Sequence, residues 1–364
     1  MNRTDFVEPN PESIHEVSPT LANQLLGCRL RAGFARDPTL VDWRRPTTYS
    51  ALGRAAHAVS EAVFGPGRWP SDAGAVRDKL QDLWKEEVEH QAARLALAWQ
   101  PAVPPPANQW PGYALTRART IRRGEKILDA RCRMDPSIHA PPRSQGSGSE
   151  VWLRDTNAGL FGRADRIERD GSSVRVIDLK TGVNQGEPTD EQRRQLLLYA
   201  VLIQRTTGTW PATVAIEDAT GLQQVTVLEP AEAEAALAEV QTAVNQFNQD
   251  IATGDLVTSA APGPDMCRWC PFKAICWPYW EAVASSWDHR ARCGRVLDAG
   301  ATAGQTFVVL DVDGPSDQNG ARLHVSGLAG DPPAQAMKAA VIDWTGEAAS
   351  GSVQAHWSTI LRSW

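Results

Sequence analysis

"FGRADRIERDGSSVRVIDLKTG", residues 161–182, decides how the chain is read. The segments "GLFGRADRIER" and "SVRVIDL" read as two strands joined by a turn at Asp170-Gly171. The second strand is an apolar run that ends in Asp178, Leu179 and Lys180. Burying a charge is costly unless it has a partner. Alternation along a strand puts Asp178 and Lys180 on one face. A hairpin brings Asp165, on the first strand, beside Asp178. Two carboxylates that close repel unless a cation lies between them. A hard divalent ion with oxygen ligands, Mg²⁺ or Mn²⁺, meets that need. Such an ion polarises a phosphodiester and acidifies a bound water. Lys180 is then placed to orient that water or to stabilise developing phosphorane charge. Taken alone, Asp-x-Lys after a strand also fits a surface Asp with a salt-bridged Lys.

The surroundings of the hairpin define the fold class. Ser18-Pro19 reads as a cap and first turn, opening a helix through about Ala35. Further helices are expected at Ser50 to Phe64, Ser71 to Trp99 and Tyr113 to about Met134. "DPSIHAPPRSQGSGS" is a loop by composition. Then follow "EVWLRD", the hairpin, an apolar helix around Leu196 to Ile203, and strands near Ala212 to Glu217 and Gln223 to Leu228. Pro230 to Ala252 reads as a helix. The order is helices, then β-β-β-α-β-β, then helix, which implies an α/β or α+β core with a helical elaboration in front. Residues 1–288 are expected to form this unit. Residues 289–364 carry short strands and Gly-rich turns and read as a small β-rich domain, either an OB-like barrel or a partner-docking module.

Composition narrows the class. The chain has 364 residues and a net charge of −6, which argues against a basic coat for nucleic acid but not against a local basic groove. No apolar run reaches the roughly 18 residues of a membrane span. With a polar, acidic start, "MNRTDFVEPNPESIHE", a cytoplasmic protein is expected. No Gly-x4-Gly-Lys-Ser/Thr loop is present, so an intrinsic ATPase is not expected. Six cysteines in a reducing compartment point to metal or free thiols rather than disulfides. Cys267-x2-Cys270-x5-Cys276, with Cys28 far upstream, is a thiolate set for zinc or an iron–sulfur cluster. Cys132 and Cys293 fall outside the pattern.

The order "GRADRI", "VIDLKTG" and then Gln195-x3-Tyr199 on the next helix resembles the RecB-like branch of the PD-(D/E)xK nuclease superfamily over roughly residues 15 to 285. The resemblance implies an α/β, restriction-endonuclease-like core, a mixed sheet flanked by helices. Asp165 and Asp178 would be metal ligands, the Leu179 carbonyl a further one, and Lys180 the catalytic lysine. Gln195 and Tyr199 would position the lysine or the nucleic acid. "ALGRAAHAVSEAV" matches an upstream motif whose helical histidine reaches the metal, which makes His57 a candidate ligand. Glu61 is read as solvated. Glu150 stands where relatives often carry an acidic residue and is left outside the site. One cysteine before the core and three after it resembles the iron–sulfur subgroup, including the AddB nuclease domain and the CRISPR-associated RecB-like exonucleases. It implies a [4Fe-4S] cluster on Cys28, Cys267, Cys270 and Cys276, with zinc as the alternative. Arg193 and Arg194 are candidate nucleic-acid contacts, and the basic stripe from Arg117 to Arg133 is either a second contact or a solvated face. Trp43, Trp269 and Trp277 are read as core or interface residues before base-stacking ones.

The implied function is metal-dependent cleavage of single-stranded DNA or DNA ends, as an exonuclease before an endonuclease, in repair, recombination, CRISPR adaptation or phage defence. A helicase or ATPase partner would supply unwinding. The alternative is a DNA-end-binding or accessory subunit whose cleavage depends on its complex.

Overall fold

The computed structural model describes residues 3–44, 46–65, 69–98, 105–134, 148–171, 173–180, 182, 186–283, 287–302, 305–313, 321–328, 331–345, 347–355 and 359–364. The side chains of residues 97, 98 and 130–134 are outside the description, and with them Cys132, Arg131 and Arg133. Residues 135–147 of the expected 135–149 loop, and Thr181, lie outside it too; the last two residues of that loop, Gly148 and Ser149, instead open the first strand.

The first expected helix is two: α1, Pro19–Gly27, and α2, Arg29–Arg36. Ser18 caps α1 by accepting the Leu21 N–H at 3.2 Å, as read from Ser-Pro. The break is at Cys28, extended at φ −159° and ψ 105°. Its N–H donates to the Gln24 carbonyl, closing α1, while its own carbonyl opens α2. Gly27 has a packing reason, since a Cβ there would lie 2.6 Å from Met266 Cε. The cysteine-bearing segments therefore meet through a helix break that periodicity alone does not show.

Three helices follow: α3, Thr48–Phe64; α4, Ala73–Ala98; and α5, Tyr113–Met134. A reciprocal Thr47–Ser50 capping box starts α3. These helices bury their own core around Ala51, Val59, Leu80 and Trp84.

The central sheet comprises β1, Gly148–Asp155; β2, Leu160–Asp170; and β3, Ser173–Leu179; then, after α6, Asp190–Thr207, it continues with β4, Thr213–Glu217, and β5, Gln223–Val227. Strand order is β1-β2-β3-β4-β5. All neighbours are antiparallel except β3 and β4, which are parallel and joined by the α6 crossover. Leu196 to Ile203 of α6 are all buried, because α6 lies between the sheet and the pair formed by α1 and α7, Pro230–Thr253. Pro230 at the first turn and left-handed Gly254 at the end bound α7. This mixed α/β arrangement has the expected class.

The short helices α8, Pro264–Cys267, and α9, Trp277–Val283, bracket the downstream cysteines: Cys267 ends α8, and Cys270 and Cys276 lie between the two helices. The rest is a second sheet: β6, Ala291–Thr302; β7, Gln305–Asp313; β8, Ala321–Leu328; β9, Lys338–Ile342; β10, Ser352–Gln354; and β11, Ile360–Ser363, in the order β10-β8-β7-β6-β9-β11. It has its own core around Val308, Leu310, Val325 and Trp344. It also shares one with the cysteine segment, where Phe6, Cys267, Tyr279 and Trp280 pack with Ala291, Cys293, Ala340 and Ile342. Lys338 pairs with Asp5 and Asp313, and Trp364 Nε1 donates to the Asp5 carbonyl at 2.7 Å. Trp43 meets Trp364, and Trp277 meets Phe6, so both are packing residues. Trp269 is exposed beside Arg268. Among the described residues no helix is long and apolar enough to cross a membrane.

Candidate active site

Strand register assembles the acidic residues. Ser149 faces Arg166 and Val151 faces Ala164, so Glu150 stands level with Asp165. Arg166 faces Ile177, and one step further the same register sets Asp165 level with Asp178. Level positions on adjacent strands share a face, so three carboxylates form a row across β1, β2 and β3. Glu150 adopts φ +53°, a left-handed conformation rare for a side chain of its kind. Strain of this sort persists only where its surroundings hold it, and it is common at sites of function.

His57 on α3 closes over the row. Its Nδ1 lies 3.8 Å from Glu150 Oε1 and 3.8 Å from Asp165 Oδ1. One ligand atom from each of the three lies within 4.8 Å of the other two. Ligand atoms 2.1 Å from an octahedral ion are about 3.0 Å apart when cis and about 4.2 Å when trans. The spacing and the oxygen-rich set therefore fit Mg²⁺ or Mn²⁺, with the imidazole acceptable to Mn²⁺. The electrostatics agree. Burial and then the charge of Asp178 push Asp165 up to about 6. Burial works to lower His57, but its hydrogen bond to Glu150 and the charges of Asp165, Glu150 and Asp178 raise it above its usual value. The pocket holds more negative charge than its own residues neutralise.

Asp178, only 2% exposed, is held by Lys180, with Nζ 2.6 Å from Oδ2. Lys180 also donates to Gln195 Oε1 at 3.3 Å. Its main-chain N–H donates to the Glu217 carbonyl at 2.8 Å, which locks the end of β3 to β4. Leu179 reaches Asp165 through its N–H, which donates to Oδ2 at 2.7 Å. The Tyr199 hydroxyl turns to the strand, donating to the Arg163 carbonyl at 2.7 Å. Burial, then the charges of Asp165 and Asp178, raise its pKa. Gly162 makes room for it, since a Cβ there would lie 2.9 Å from Tyr199 Cε1.

Two groups of the site stand out less in sequence than in structure. Glu150 joins the close ligand set, and Arg163 ties it down at 2.9 Å while reaching Glu61 at 3.2 Å. Register arithmetic across β1 and β2 was the available signal. Behind the row, Glu217 pairs with Arg166 of β2 and Arg123 of α5, each at 2.5 Å. Arg166 also lies over the Phe64 ring of α3. This buried network fastens the helical lobe to the sheet, and nothing in local sequence signals it.

Arg193 is paired with Glu232, and Arg194 with Glu239 and Asn23. None of Cys28, Cys267, Cys270 and Cys276 is in a disulfide. Burial raises Cys267, Cys270 and Cys276, Cys270 to about 11, and each of the three also feels the charge of Cys28.

No curated protein matches the chain. Residues 16–277 match the sequence profile of the PD-(D/E)XK nuclease superfamily, whose members hydrolyse phosphodiesters with divalent metals. The match covers well over half of the chain and spans the whole row from His57 to Tyr199, so this chain belongs to the PD-(D/E)XK nuclease superfamily.

Proposed function

We propose that the chain is a Mg²⁺- or Mn²⁺-dependent deoxyribonuclease of the RecB-like branch that acts on single-stranded DNA or DNA ends. The observation that carries this is the row of Glu150, Asp165 and Asp178 with His57 over it and Lys180 at its end. His57, Glu150 and Asp165 would hold the ion, with Asp178 beside them. An ion held there would acidify a water and polarise the phosphodiester. Lys180, directed by Gln195, orients the attacking oxygen and meets charge developing on phosphorus. Tyr199 fixes β2 through Arg163, so its role is to position the strand that carries Asp165.

A single strand suits the approach better than a duplex. The cavity beside Lys180 is only about 10 Å³ and is roofed by Thr116, Thr120 and Arg123 of α5 as well as His57. Exonuclease before endonuclease action is what the resemblance implies.

The four cysteines are read as ligands of a [4Fe-4S] cluster that staples the α1–α2 break to the segment after the core. Sulfurs around zinc lie about 3.8 Å apart, and no three of these thiols are gathered that tightly. Anaerobically purified protein should carry about four iron atoms per chain, lost in Cys28→Ser.

The test of the nuclease is cleavage of end-labelled single- and double-stranded DNA with Mg²⁺ or Mn²⁺, compared with Lys180→Ala. Cleavage of the single strand that disappears in the variant is expected. Equal cleavage by both proteins would sink the assignment.

A further inference from the structure

Arg119, Arg122 and Lys126 lie at i, i+3 and i+7 on α5, one face of the helix. With Arg123 they line a groove of about 600 Å³ whose other wall is Ala219 to Leu222, the turn between β4 and β5. No acidic side chain lines it among the described residues. Arg122 and Lys126 are exposed and Arg119 is half-buried. None of the three has an ion-pair partner among the described residues, unlike Arg193 and Arg194, which are both committed to glutamates. In a chain of net charge −6, three unneutralised cations on one wall are a local exception. The groove is also continuous with the site. Arg123 and Ala219 line both it and the cavity that contains His57, Leu179 and Lys180. Leu222, exposed at the lip, offers apolar surface to a base.

We propose that this groove is the track along which a single DNA strand reaches Lys180, its phosphates contacted by Arg119, Arg122 and Lys126. The three span about 10 Å of helix, enough to fix the direction of a strand as well as its affinity. The proposal rests on the nuclease reading for what happens at the end of the track, but not for binding itself.

The test is anisotropy of a fluorescein-labelled oligothymidylate in EDTA, where binding is read without cleavage. Each phosphate contact on a single strand contributes about 0.7 to the salt slope, so Arg119→Ala/Arg122→Ala/Lys126→Ala should bind about a hundredfold more weakly at 0.1 M salt, with a slope shallower by about 2. Alanine suits an exposed helix face, and an unchanged melting temperature shows that the fold is kept. Arg290→Ala/Arg295→Ala/Arg322→Ala, at exposed positions in or next to the second sheet, removes the same charge and should bind within about threefold of the parent. Unchanged binding by the α5 variant, no binding by the parent, or an equal loss in the control would each overturn the track. If the parent binds through α5 yet cuts nothing with Mn²⁺, the track stands and the nuclease reading falls.

Discussion

Glu217→Gln is the perturbation that most directly tests how the helical lobe is held over the sheet. Glu217 is 3% exposed, and its two arginine partners are 8% and 5% exposed. Its carboxylate receives Arg123 on one oxygen, and Arg166 with Gln223 on the other. The amide keeps the shape and loses the charge. Two buried guanidiniums then face each other, with only Glu168, half exposed, left to Arg166. Removing one partner from a buried pair costs about 3–5 kcal/mol, mostly because the remaining charge is uncompensated. That is a large part of the roughly 5–15 kcal/mol that holds a folded domain. At about 2 °C per kcal/mol for a long chain, the melting temperature should fall by about 6–10 °C. Urea unfolding followed by tryptophan fluorescence gives the free energy directly. Arg123→Met should cost less than Glu217→Gln, because it leaves Arg166 and Glu217 as a balanced pair. A loss below about 1 kcal/mol for Glu217→Gln, the range of an exposed pair, would refute the reasoning, and the lobe would then be held by apolar packing alone.

Glu150→Gln should weaken Mn²⁺ binding by at least about tenfold in calorimetry while leaving the fold intact; unchanged affinity would remove Glu150 from the ligand set. Mn²⁺ affinity should rise as pH passes through about 6, because Asp165 and a proton-holding His57 must both release protons to the ion. In metal-free protein the sign is opposite. The Asp165 pKa is raised on folding, so its contribution to stability is complete below about 4 and is lost as pH rises through about 6, which pH-dependent melting in EDTA would show. Gly162→Ala should push Tyr199 away from the Arg163 carbonyl and lower the cleavage rate several-fold with little change in metal affinity; wild-type turnover would mean that Tyr199 has no positioning role.

What the sequence determined by itself is local. Asp165, Asp178 and Lys180 lie within one hairpin, and Gln195 and Tyr199 one turn apart on the next helix, so alternation and helical spacing suffice to group them. The order of strands and helices followed from the same periodicities. Only tertiary structure decided the rest. Glu150 enters the row because two strand registers align across three strands, and because its backbone takes a left-handed turn that no neighbour announces. His57 reaches Asp165 from 108 positions away because α3 packs against β1. Arg193 and Arg194 have the composition of phosphate contacts but are neutralised by glutamates of α7, while Arg122 and Lys126, no more conspicuous in sequence, stay unpaired beside the site. An ionic side chain's role is set by which opposite charge the fold places next to it, and one-dimensional spacing carries that information only across a turn of helix or the two arms of a hairpin.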